Sequence, residues 1–175
     1  MANRHLAGRV ALIGAIAAGT LTGVALPAGA ATARPDAAPV ARRTGPVDHV
    51  LSNQSLVRAT AAFVRSAKQH GNQRVTMVIM ERSGVIRLVV RLEKAGPQTY
   101  QSAKRKAYTA VAFGQPTSAL AGNETIKQIP GTLVLPGGVP VIHQGFPIAG
   151  IGVGGAPDGR IDEAIANDVL KALGR

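Results

Sequence analysis

The chain contains no cysteine and no tryptophan. Without thiols no disulfide can staple it, and no thiolate can ligate a metal or act as a nucleophile. Stability must come from the core, with oligomer contacts as a further source open to it. Redox sensing would need a bound cofactor or another side chain. Acidic residues number nine against twenty lysines and arginines, so the formal net charge is +11. Such a balance draws anionic ligands and surfaces by long-range Coulomb attraction. Nucleic acid is the usual partner of a basic chain. Here only Phe63, Tyr100, Tyr108, Phe113 and Phe146 could stack on bases, which speaks against it. No two histidines have zinc-site spacing, and no H-E-x-x-H occurs. No serine–histidine–acid arrangement is legible either, and nothing marks a general base.

What is present begins with an export signal. Arg4, His5 and Arg9 make a basic start, and residues 10–26 are apolar and small, interrupted by Gly14, Gly19, Thr20, Thr22 and Gly23. Pro27 then precedes Ala28-Gly29-Ala30, a small-x-small cleavage site followed by Ala31. This is the pattern of a secretory signal peptide over residues 1–30, and the interruptions argue against a membrane anchor. No Arg-Arg pair precedes the apolar run, so a twin-arginine route is not indicated. Removing Arg4 and Arg9 with the signal lowers the formal charge from +11 to +9. Residues 31–52 are rich in Ala, Pro and Arg without periodicity and read as a flexible basic leader. A single domain over 53–175 follows. The expected location is extracellular, with acidic cell-wall polymers as one partner.

Within the domain, Ser52 or Asn53 can cap a helix. Leu56, Ala59, Phe63, Ala67 and His70 recur at three- and four-residue spacing, and Gly71 stops it. Residues 75–81 and 85–93 read as strands joined at Arg82-Ser83-Gly84. In the second strand Ile86, Leu88, Val90 and Leu92 alternate with Arg87, Val89 and Arg91, which predicts a basic outer face. Gly96-Pro97 opens a second helix ending at Gly114, with Tyr100, Ala103, Ala107 and Ala110 inward and Lys104, Arg105 and Lys106 as a basic cluster. Three further strands fit 132–135, 139–142 and 147–153, with turns at Pro136-Gly137-Gly138 and His143-Gln144-Gly145. A last helix spans 161–173, turning Ile165, Val169 and Ala172 inward. The pattern predicts an α+β fold, a five-stranded antiparallel sheet flanked by helices.

Gly150-x-Gly152-x-x-Gly155 matches a dinucleotide fingerprint literally, but it opens no βαβ unit and too little chain follows it. A glycine-rich strand approached closely by another backbone or a flat ligand is the better reading. His49 lies in the leader and His143 in a turn. His70 falls on the apolar stripe, where a satisfied structural histidine is the commoner case, although imidazole is also a common haem-iron ligand. Asp158, Asp162 and Glu163 suit the start of the last helix. A surface site for free iron would need oxygen ligands from such a cluster.

The strand–turn–strand around Arg82-Ser83-Gly84, "KAYTAVAFGQPTS", "LPGGVPV" and "GIGVGGAP" occur in this order along 55–174. In these pieces the chain resembles the GlcG/HbpS family, and among its members the secreted haem-binding proteins of actinobacteria. The resemblance implies profilin-like layers, assembly as a homo-octamer, and haem or iron handling under oxidative stress. It also implies modulation of a membrane sensor histidine kinase through its ectodomain. It brings in Thr109 and Thr117 as oxygen donors near a haem iron, with His70 the imidazole candidate. Arg87, Arg91, Lys104 and Arg105 are candidates for the propionates. Each of these basic residues also has an ordinary reading as part of a solvated face. Three rivals stand beside a binding protein: a haem-degrading or peroxidase-like enzyme, an interaction module with incidental haem, and a cobalamin-binding domain.

Overall fold

Ser52 starts the first helix: its hydroxyl accepts the Ser55 backbone N–H at 3.1 Å, and α1 (Asn53–Gln69) follows. The computed structural model describes residues 51–174, so the signal peptide and residues 31–50 of the leader lie outside the described residues. The chain continues through β1 (Thr76–Glu81), β2 (Ile86–Arg91), α2 (Pro97–Phe113), a 3-10 turn (Thr117–Leu120), α3 (Glu124–Gln128), β3 (Gly138–His143), β4 (Phe146–Gly154) and α4 (Gly159–Ala172). The strands form one antiparallel sheet in the order β2-β1-β4-β3.

Alternation along β1 builds the layers. Met77 and Ile79 join the cluster that contains Phe63 of α1 and Ile165 and Val169 of α4, whereas Val78 and Met80 pack with Ala103 and Ala107 of α2. Helices α1 and α4 therefore cover one face and α2 the other. The architecture is α+β, helix–sheet–helix, as the residue pattern predicts.

The sheet has four strands rather than the expected five. Residues 132–135 fit a short strand by composition, but their backbone partners lie elsewhere. The Thr132 N–H donates to the Ile129 carbonyl, and the Leu133 N–H donates to the Thr109 hydroxyl. Val134 is buried with Leu120 and Ile126 in a small separate cluster. Side-chain oxygen has taken the place of a strand neighbour.

A second departure concerns β2. A bulge shifts the β1–β2 register between Ile79 and Met80. Ile86 consequently packs on the α2 side while Leu88, Val90 and Leu92 pack on the α1 side. Arg87 does not share an outer face with Arg91. It pairs with Glu81 and donates to the Leu51 carbonyl at the entrance to α1.

The glycine stripe of β4 explains how α2 sits so close. A methyl at Gly150 would overlap the Ala107 carbonyl, and one at Gly152 the Ala103 carbonyl. The approaching backbone is that of α2. The β3–β4 hairpin turns at Gln144 and Gly145, both with positive φ (48° and 83°), as a two-residue turn of matching twist requires.

Candidate functional site

On the α2 side an open cleft of about 540 Å³ lies between the exposed face of α2 and the loop after α3. Gln101, Lys104, Arg105 and Tyr108 supply the helix wall, at the i, i+3, i+4, i+7 spacing of one helix face. Pro130 and Gly131 form the opposite wall, and Met80 of β1 also lines the cleft. Tyr108 is 37% exposed, and its ring lies 3.7 Å from where a Cβ on Gly131 would stand. Gly131 has φ +88°, a conformation that glycine alone adopts cheaply.

Two side chains of α2 clamp the loop, and a third, on the 3-10 turn, ties down the segment that leads into β3. The Arg105 guanidinium donates to the Thr132 carbonyl at 2.5 Å. The Thr109 hydroxyl donates to the Arg105 carbonyl and accepts the Leu133 N–H, both at 2.8 Å. The Thr117 hydroxyl donates to the Leu135 carbonyl at 2.7 Å and accepts the Gly138 N–H at 2.9 Å. Thr109 and Thr117 are fully buried, so in this arrangement they hold the wall of the cleft rather than face into it.

The other sequence candidates are dispersed. His70 caps α1 in the opposite layer, with its Nε2 3.5 Å from Asp168 Oδ2 on α4. Burial alone would raise the Asp168 carboxyl. Hydrogen bonds from Ser66 and Lys171, the Lys171 charge and the His70 contact outweigh it and hold Asp168 below the usual carboxylate range. Arg91 donates through Nε to the Ala95 carbonyl at 3.0 Å. Of the proposed cations, only Lys104 and Arg105 meet at the cleft.

Lys106 leaves the expected surface cluster altogether. Its ammonium lies 2.8 Å from Asp162, both side chains 3% exposed, and it also donates to the Val153 carbonyl. Asp162 accepts the Ala156 N–H as well. Asp158 caps α4 and Glu163 accepts from Ser118. Among the described residues no group of three or more histidines or carboxylates could hold a metal ion. A second cleft, about 480 Å³, lies between the end of α1 and β2, rimmed by Lys68, Arg74 and Lys94. It is lined by no imidazole, phenol or thioether.

Among the candidate site residues the sequence offers, Tyr108 is missing, although it lines the cleft. Its spacing from Lys104 and Arg105 was a usable signal, but the facing wall comes from a distant loop.

Residues 51–171 match the family described as "Haem degrading protein HbpS-like". The solved structure of HbpS is 43% identical, with 71% of this chain and 91% of that chain covered and a TM-score of 0.66. A double mutant of HbpS from Streptomyces reticuli is 44% identical, covering 81% of this chain and 100% of that one, with a TM-score of 0.69. A PduOC:heme complex is 27% identical over 70% of this chain and 94% of that chain, with a TM-score of 0.63. No curated protein is significantly similar to the chain. With the family match spanning nearly the whole described domain and the same fold beneath it, this chain belongs to the HbpS-like family.

Proposed function

We propose that this is an exported haem-binding protein that takes haem into the cleft between α2 and the loop after α3. The observation that carries this reading is the composition of that cleft. Pro130 offers apolar surface and Tyr108 an aromatic ring over the buried Met80, while Lys104 and Arg105 place two cations beside them. Haem is flat and apolar with two carboxylates at one edge, so the residues present fit it. When bound, haem would supply an iron centre able to report or react with oxidants. The comparisons support the ligand: the family is described as haem-degrading, and one solved relative is a heme complex.

Export rests on the basic start, the apolar run and the Ala28-Gly29-Ala30 site. The family resemblance extends the proposal to a homo-octamer that handles haem or iron under oxidative stress and modulates a membrane sensor kinase. Acidic cell-wall polymers would suit the basic surface. Haem degradation is the second reading, favoured by the family's description.

Titration of the purified protein with haemin, followed at the Soret band, tests the main reading. A saturable, sharp shift is expected, weakened by Lys104→Glu. A non-saturating change equal in both proteins would sink it. Added reductant and oxygen separate the second reading, since degradation bleaches the Soret band and releases iron. Competition with cobalamin distinguishes the remaining alternative.

A further inference from the structure

We infer that the cleft between the end of α1 and β2 is a second binding site, which takes an acidic peptide segment carrying an apolar side chain. Three cations reach it from three stretches of chain: Lys68 from the last turn of α1, Arg74 from the loop before β1, and Lys94 from the loop after β2. All three are exposed, and among the described residues no hydrogen bond or ion pair engages their side chains. Glu93 alone of the cleft's lining is acidic, so positive charge prevails. Between the charges lies apolar surface, Val64 at 47% exposed and the partly buried Leu92. A chain that carries carboxylates beside an apolar side chain satisfies both features. A phosphate polymer would leave Val64 and Leu92 uncovered.

The backbone of the rim also departs from the ordinary. Asn72 and Lys94 have φ +52° and +62°, in the left-handed region that disfavours a residue with a Cβ. Asn72 has a local reason, because it completes the turn that ends α1, its N–H donating to the Lys68 carbonyl at 3.2 Å. Glycine would hold the Lys94 position more cheaply, whereas lysine there puts an ammonium on the rim. A second copy of this chain is a poor occupant. Glu81, Glu124, Asp158, Asp162, Glu163 and Asp168 already hold partners within the chain, so among the described side chains none but Glu93 offers a free carboxylate. The acid must come from another molecule. This cleft opens on the α1 face of the sheet and the one proposed for haem on the α2 face. Both can therefore be filled at once, and neither reading depends on the other.

Fluorescence anisotropy of a short labelled peptide alternating glutamate and leucine, titrated with the purified protein, tests this. Saturable binding is expected, weakening several-fold as salt rises from about 0.05 M to about 0.5 M. Arg74→Glu should weaken it roughly tenfold or more. The charge-matched Arg82→Glu, on the turn at the other end of β1 and β2, should change it by roughly twofold at most. Lys94→Gly should lose affinity several-fold without lowering the denaturation midpoint, a separation that a purely structural lysine would not give. Arg74→Glu should leave the haemin Soret shift unchanged. Equal losses in Arg74→Glu and Arg82→Glu would reduce the effect to overall charge and overturn the site. A leucine-free glutamate peptide or inorganic polyphosphate binding as tightly would overturn the peptide as occupant. Absence of saturable binding would overturn the inference outright and leave the haem reading standing.

Discussion

Lys106 and Asp162 show how much one residue's surroundings decide. Both charges are buried, and their mutual contact is supplemented by the Val153 carbonyl and the Ala156 N–H. Removing one partner strands the other in a dry interior. Asp162→Ala should therefore cost about 3–5 kcal/mol in chemical denaturation. The double replacement Lys106→Met with Asp162→Leu should recover most of that loss, because no charge is then left unpaired. Thr109 makes a complementary case. Thr109→Val keeps the shape but removes the acceptor of the Leu133 N–H, at a cost of about 1–3 kcal/mol. Thr109→Ser should restore the denaturation midpoint. Tyr108→Phe, on the surface, should leave that midpoint unchanged, which separates holding the wall from binding the ligand.

At the scale of elements, the seam between α2 and β4 is set by three alternate glycines. Gly150, Gly152 and Gly154 all turn toward α2, whose backbone lies where their side chains would be. Gly152→Ala should destabilise by about 1–3 kcal/mol or more, since the obstacle is main chain and cannot rotate away. The same seam positions Lys104, Arg105 and Tyr108, so this substitution should also weaken haemin binding. On the other face α1 and α4 are joined through Asp168, which accepts from Ser66 at 2.8 Å and Lys171 at 3.1 Å. Because folding lowers this carboxyl below its ordinary 3.8, its contribution is present above that pH. It is lost as pH falls through the lower folded value. Asp168→Asn should remove that part of the acid limb in a plot of stability against pH. The change should be modest, because the side chain is a third exposed.

For the whole molecule, charge and layering decide behaviour together. A formal charge of +11, or +9 once Arg4 and Arg9 leave with the signal, should speed the approach of an anionic porphyrin, and added ions should screen it. Raising salt from about 0.05 M to about 0.5 M is expected to slow haemin association several-fold in stopped flow, with dissociation little changed. The sequence alone determined the order of most elements, because three- and four-residue and two-residue spacing each report a buried face directly. It also determined the close approach to the β4 glycines, since missing side chains are visible in a sequence, and it carried the family resemblance. Tertiary structure decided what depends on partners far along the chain. Lys106 reads as surface beside Lys104 and Arg105 until Asp162, 56 residues away, is brought against it. Residues 132–135 read as a short apolar strand until the Thr109 hydroxyl takes the Leu133 donor. The β2 bulge separates Arg87 from Arg91 although strict alternation unites them. The cleft itself exists only because a loop folds back over α2, and no local spacing records which surface a loop will meet.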